Sequence, residues 1–246
     1  MLTRDDAITT VVKFSTPTTI QINDNGVLKD VPAMNVGTGF FMHRDNNNNK
    51  LFIITANHVA KDFSFSTVVE MIGQNNQCIQ IPLELLKTKA PIVSHPKADL
   101  SAIEININVF NSLNSNVRIF GTSLIKKDKI EKISRDAELT SIGFPNGLGT
   151  GNYFEPLSFR SHPSSNIIKD FHGLDGGYVS DIFVLENPSC GGYSGCPVLD
   201  LGYIASAVFS QQYDTAFYGV MHGTISDRTG GKMAVVTLAT YILDII

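Results

Sequence analysis

The chain has 246 residues, of which 43% are hydrophobic and 17% charged, with a formal net charge of −4 and a pI near 5.8. That length can bury a substantial core in one large or two small domains, and the composition is that of an ordinary globular protein. The mild acidic balance gives no electrostatic footprint for nucleic acid or an anionic membrane, and no apolar run approaches the roughly 18 residues of a membrane-spanning helix, so neither partner is expected.

Arg4 to Val12 begins like a helix, and the charges at Arg4, Asp5 and Asp6 stand where a secretory signal needs an unbroken apolar stretch, so export by that route is not expected. Polar-apolar alternation over Thr16 to Ile22, followed by Asn23-Asp24-Asn25-Gly26, predicts a hairpin. Gly37 to Met42 reads as a strand, His43 to Lys50 with its four asparagines as a solvated hairpin tip, and Leu51 to Thr55 as the returning strand. A short helical segment at Val59 to Phe63 precedes strand-like runs at Phe65 to Ile72, Cys78 to Ile81, Ile92 to His95 and Leu100 to Ile107. Asn108 to Ile133 is less regular, its basic patch at Lys126-Lys127-Asp128-Lys129 reads as a solvated linker face, and a boundary near residue 115 separates a unit over 1–115 from one over 116–246.

The second unit opens on a strand at Leu139 to Pro145. Residues 146–180 show little periodicity and predict long loops around one short strand. Asp181 to Glu186, Pro197 to Leu199, Ile204 to Gln211 and Ala216 to Met221 read as strands, and the apolar rhythm of Val235 to Ile246 predicts a C-terminal helix. Many short strands with turn signals argue for an all-β chain of barrel type.

The chemistry concentrates in three places. Pro188-Ser189-Cys190-Gly191-Gly192-Tyr193-Ser194-Gly195-Cys196-Pro197 sets Ser194 in a glycine-rich turn before a strand. Gly192 and Gly195 let the main chain bend there, so that a serine hydroxyl and neighbouring N–H groups can face one point; the plain alternative is a hairpin turn. His58 follows the apolar run Leu51 to Ile54 at the end of a strand, and Asp99 precedes the alternating run from Leu100. The three cysteines, Cys78, Cys190 and Cys196, lack disulfide parity and metal-site spacing, which points to no bound metal and to a reducing compartment, most simply the cytoplasm. Cys190 and Cys196 read as small apolar residues flanking the serine.

In the order His58, Asp99, Ser194, spaced 41 and 95 residues apart, the contexts Thr55-Ala56-Asn57-His58-Val59, His95 to Ile103 and Gly192 to Val198 resemble the chymotrypsin-like (trypsin-like) serine peptidases of the non-zymogen bacterial and viral type. The likeness runs over about residues 33 to 240. It implies two six-stranded antiparallel β-barrels with a cleft between them, His58 and Asp99 coming from the first and Ser194 from the second. It implies His58 as general base, Asp99 as its orienting partner and Ser194 as nucleophile, with the N–H groups of Gly192 and Ser194 as oxyanion hole, worth about 3 kcal/mol per donor. The reaction class is peptide hydrolysis through an acyl-enzyme, with a protein or peptide substrate and no cofactor. Asp62 is a rival orienter badly placed to reach the ring, and His95 is assigned to structure.

Departures from the family pattern narrow the expectation. Tyr193 stands where zymogen-activated members carry an aspartate, so activation by that route is not expected; a constitutively folded enzyme, with room for a regulatory partner, is. Pro188 replaces the pocket-base aspartate that selects Lys or Arg. Ala216 to Thr224 looks like the strand beside the primary specificity pocket, which makes Ser189, Met221, His222 and Gly223 the candidate substrate-binding residues. His222 comes one residue later than the histidine of Glu- and Gln-specific relatives, which leaves an acidic or amide preference, an apolar pocket, and a purely structural histidine open. A catalytically silent or partner-gated peptide-binding module on the same fold is the competing function; an esterase of another fold is disfavoured because Ser194 comes last.

Overall fold

The structure is a computed structural model that describes residues 2–24, 27–45, 47–173, 177–205, 210–226 and 232–246. The N-terminal helix α1 (Arg4–Ile8) is closed by a capping box, in which Thr3 Oγ1 accepts from the Asp6 N–H and the Asp6 carboxylate accepts from the Thr3 N–H. Strands β1 (Val11–Asp24) and β2 (Val27–Arg44) form one long hairpin whose expected turn residues Asn25 and Gly26 lie outside the described residues. Then come β3 (Asn47–Thr55), α2 (Asn57–Lys61), β4 (Val68–Ile72), β5 (Cys78–Pro82), α3 (Leu83–Leu86), β6 (Val93–Ser94), β7 (Ser101–Ile105), α4 (Ile107–Ser112) and β8 (Phe120–Gly121). They make a first sheet in the order β5-β4-β1-β2-β3-β7-β6, with β8 pairing parallel to β2. This sheet therefore takes in residues up to Gly121.

After α5 (Lys127–Glu131), the second sheet is built from β9 (Leu139–Gly143), β10 (Leu157–Ser161), β11 (Ile168–His172), β12 (Val179–Leu185), β13 (Pro197–Asp200), β16 (Ala216–Ser226) and β17 (Lys232–Leu238). Its order is β10-β9-β13-β16-β17-β12-β11, and β14 (Tyr203–Ala205) with β15 (Ser210–Gln212) forms a separate hairpin; the part of the strand expected at Ile204 to Gln211 that falls on residues 206–209 lies outside the described residues.

Strict alternation in the first sheet explains why its strands read as continuous apolar runs. Val12, Phe14, Phe41, Ile53 and Ile103 point into a core of the first sheet's own, while Val11, Phe40, Met42, Ile54 and Ala102 point the other way into the core shared with the second sheet. Phe40 and Phe120 meet Phe217 there, with ring centroids 5.0 and 5.8 Å away. The molecule is thus mostly β, two antiparallel barrel sheets with few helices.

Four expectations are corrected. The sheets hold eight and seven strands rather than six each, because short strands such as β6 and β8 add to the edges. The C-terminal helix starts later than expected and is of 3-10 type: 232–238 is the strand β17, and the six-residue 3-10 helix Ala239–Asp244 follows. Val235 faces one core and Ala234, Val236 and Leu238 the other, so a strand buried on both faces imitated a helical rhythm. Residues 146–180 contain two full strands, β10 and β11, rather than one. The basic patch is solvated at Lys127 and Asp128 but lies at helix α5 rather than in a linker: Lys126 pairs with the Asp214 carboxylate at 2.9 Å, and Lys129 donates to the Asp214 carbonyl and lies over the Tyr213 ring.

Candidate active site

His58 sits in α2, which starts directly after β3 and carries the ring to the barrel's edge. Asn57 locks this helix: its carboxamide oxygen accepts from Ser94 and Ser101, both at 2.7 Å, and its amide donates to the Tyr178 hydroxyl. Asp99 ends the turn joining β6 to β7. That turn is shaped by His95, whose Nδ1 accepts from the N–H groups of Lys97 and Ala98, while its Nε2 lies 3.3 Å from the Asp244 carboxylate. His95 is structural, as expected. The buried Asp99 carboxylate grips α2 twice, with Oδ1 accepting from the His58 N–H at 2.8 Å and Oδ2 lying 2.6 Å from His58 Nδ1. Asp62 caps the far end of α2 and accepts from Asn35 Nδ2 instead.

Ser194 faces the same cleft as His58, whose walls include Asn35, Val36, Val59 and Phe63. Its turn is fastened to the first sheet by Thr38, a fully buried residue that the sequence did not single out. The Thr38 N–H donates to the Ser194 carbonyl at 2.9 Å, its hydroxyl donates to the Gly192 carbonyl at 2.7 Å and accepts from the Phe144 N–H, and its carbonyl accepts from Thr55 Oγ1. Gly195, at φ +87°, fits only as glycine, since a Cβ there would stand 2.0 Å from the Thr38 carbonyl oxygen and 3.0 Å from the Ala56 nitrogen, at the start of α2. Gly192, at φ +86°, likewise presses on the Phe144 carbonyl. Among the described residues the N–H groups of Gly192 and Ser194 donate to no partner, whereas the surrounding turn is bonded through Tyr193 N–H to Cys190, Cys196 N–H to Tyr193 and Gly195 N–H to Met221. Tyr193 is buried and its hydroxyl lies 2.8 Å from the Leu157 carbonyl and 3.2 Å from that of Ser141, so the turn is anchored from within the second barrel.

The substrate-binding expectations fare differently. His222 joins His58 and Asp99: its Nδ1 is 2.9 Å from Asp99 Oδ2, the oxygen that also meets His58, and the two imidazole centroids are 5.6 Å apart. The register of β16 against β17 slips between Met221 and Gly223, so His222 is the extra residue of a β-bulge, which re-aims its side chain. Met221 is buried in the shared core, a correction to its assignment as a pocket wall, and its backbone exchanges bonds with Gly195 and Cys196. Gly223 stands beside Ser194, where a Cβ would be 3.9 Å from Ser194 Oγ. Ser189 is only 8% exposed, and its hydroxyl has no hydrogen-bond partner among the described residues.

Burial works to raise the Asp99 carboxyl, but the hydrogen bonds from His222 and His58 outweigh it and hold the group well below the usual carboxylate range. Asp99 is therefore an anion with two imidazoles on it. The donor atoms of His58, Asp99 and His222 lie within 4.8 Å of one another, a set that could also hold a metal ion, although the two Nδ1 distances are those of hydrogen bonds to the carboxylate. All three cysteines are free, and burial pushes the Cys196 thiol far up, so it is inert packing behind the serine.

No family model and no curated protein sequence matches the chain. Solved structures do. The MamO protease domain from Magnetospirillum magneticum matches with a TM-score of 0.57 at 12% identity, over 97% of this chain and 96% of that one. The Rv3671c protease of M. tuberculosis in its inactive form matches at 0.52 and 14% identity, over 97% and 87%. A scabies mite inactivated protease paralogue matches at 0.52 and 11% identity, over 99% and 95%. Identities this low speak for the fold alone, and on that ground the chain has the chymotrypsin-like fold of trypsin-like protease domains.

Proposed function

We propose that the chain is a serine endopeptidase. His58 takes the Ser194 proton through Nε2 and later returns it to the leaving amine, Asp99 fixes the tautomer with the proton on Nδ1, and the N–H groups of Gly192 and Ser194 receive the oxyanion. The observation that carries this reading is the 2.6 Å contact of His58 Nδ1 with the buried Asp99 anion, in the cleft that Ser194 also lines. The N–H groups of Gly192 and Ser194, which donate to no partner among the described residues, support it further, because they are free to receive a substrate oxygen.

His222 is a positioning residue in this scheme, acting through Asp99. The Tyr193 anchor supports an oxyanion turn that is formed without proteolytic activation. Pro188, together with the buried and unpartnered Ser189 hydroxyl, supports an uncharged side chain at the cleavage site rather than Lys or Arg. Three free thiols support a cytoplasmic setting. Digestion of a positional peptide library tests the reading: cleavage selective for an uncharged residue and abolished by Ser194→Ala is expected. No cleavage by a well-folded chain would favour the silent or partner-gated binding module, and strong selection for Lys or Arg would sink the pocket assignment.

A further inference from the structure

Three side chains from separate parts of the chain converge on one carboxylate oxygen. His58 comes from α2, Asp99 from the turn between β6 and β7, and His222 from the β-bulge in β16, so the cluster joins the first sheet's unit to the second sheet. His58 Nδ1 and His222 Nδ1 stand 2.6 and 2.9 Å from Asp99 Oδ2, and the three donor atoms lie within 4.8 Å of one another. The Asp99 carboxylate already meets both the N–H and the ring of His58, so holding the base does not call for a second imidazole. Adding His222 completes a set of two nitrogens and one oxygen, which is the donor chemistry of zinc sites. The three residues are far apart in the sequence, and an expectation of no bound metal that rested on cysteine spacing could not register them.

We propose that His58, Asp99 and His222 form a reversible Zn2+ site whose occupation switches the peptidase off. The proposal rests on the peptidase reading and adds its regulation. Zinc takes imidazole nitrogen and carboxylate oxygen at about 2.0–2.2 Å in tetrahedral geometry, which sets neighbouring donors about 3.4 Å apart. Each Nδ1 must therefore draw back from Oδ2 by about half an ångström or slightly more. The side chains of His58 and His222 are 42% and 24% exposed and have room to turn, while the Asp99 carboxylate stays fixed by the His58 N–H. Water fills the fourth position. Without the ion, each neutral ring carries its proton on Nδ1, where it points at the carboxylate. With the ion, each Nδ1 lone pair goes to zinc and the proton passes by exchange with water to Nε2, so no net proton is released. His58 Nε2 then bears a hydrogen and cannot take the Ser194 proton, which stops acyl transfer without filling the cleft. Magnesium and calcium demand oxygen donors and do not compete for this set.

The experiment titrates the full chain, as Ser194→Ala, with Zn2+ in a calorimeter at neutral pH, where binding needs no catalysis. One ion per chain at micromolar Kd is expected, and no binding of Mg2+. The double variant Ser194→Ala/His222→Asn keeps a donor to Asp99 but offers no imidazole, and it is expected to bind Zn2+ at least about tenfold more weakly. No binding to Ser194→Ala, or equal affinity in a double variant with an unchanged thermal transition, overturns the proposal. Co2+ in place of Zn2+ reads the ligands without any change at the site: the intense visible bands of a four-coordinate, nitrogen-bound ion are expected, and the weak spectrum of the hydrated ion overturns the proposal too. In the wild type, active-site labelling seen in the presence of a chelator should stop when Zn2+ is added and return when it is chelated again. Labelling at the full rate with the site loaded overturns the switch. Zinc binding by a wild type that takes no label even with chelator present would fault the peptidase reading, and with it the switch, while sustaining the ion site.

Discussion

Replacing His222 by alanine removes one of the two imidazoles that share Asp99 Oδ2. A hydrogen bond to a charged acceptor is worth about 1.5–3 kcal/mol, and His222 competes with the His58 imidazolium for that oxygen. If about half of that energy passes to the His58–Asp99 pair, the protonated base gains about 1 kcal/mol, or between about half a pH unit and one unit. The acidic limb of kcat/KM should move to higher pH by that amount in His222→Ala. In His222→Asn, whose amide can occupy the place of Nδ1, it should stay near the wild-type position. Peptide cleavage measured from pH 5 to 9 on all three proteins reads the shift directly. A limb that stays put or moves to lower pH in His222→Ala, with the thermal transition unchanged, would refute the shared-carboxylate account.

Thr38→Val keeps the shape of the side chain but strands the buried Gly192 carbonyl and Phe144 N–H, each at about 1–3 kcal/mol; urea denaturation should show a loss of about 2–6 kcal/mol together with slower active-site labelling, and unchanged stability would contradict the hub role of Thr38. Tyr193→Phe should cost about 1–2 kcal/mol by the same assay, because the Leu157 carbonyl loses its closest donor, and a neutral result would remove the internal anchor. Gly192→Ala places a Cβ 2.3 Å from the Phe144 carbonyl oxygen at a φ of +86°; labelling of Ser194 should be lost while the far-ultraviolet circular dichroism is retained, and normal labelling would show that the turn tolerates the side chain. Glu70 is held below the usual carboxylate range, where burial is outweighed by hydrogen bonds from Ser15 and Lys13, as Asp99 is by its histidines. Both folded values are depressed, so their stabilisation is complete above the ordinary carboxylate range near pH 4 and is lost as pH falls below it. Melting temperatures from pH 7 to 3 should fall steeply below about pH 4, and a smaller fall in Glu70→Gln is expected; an identical profile in that variant would deny the Lys13–Glu70 pair its role.

Many of the strands, and the turn that carries Ser194, were legible in the sequence for a common reason. The β3 run ends just before His58, and Gly192 and Gly195 mark positive backbone angles that other residues rarely adopt. What stayed hidden depended on pairing across the molecule. Thr38 is one threonine in a Gly-Thr-Gly stretch, and nothing local says that it ties the serine turn to the first sheet. The one-residue offset of His222 was visible, but its meaning was not: the offset is a β-bulge, which only the register against β17 reveals and which turns the ring from the pocket onto Asp99. Val235 to Leu238 misled because burial on both faces erases the period of two by which a strand is recognised.

The central claim is that Ser194 is a nucleophile assembled with its base and oxyanion donors, and labelling by a fluorophosphonate probe tests it most directly. Wild type should be labelled at Ser194, and both Ser194→Ala and His58→Ala should lose the label. A well-folded wild type that takes no label, or a label that persists in His58→Ala at the wild-type rate, would contradict it.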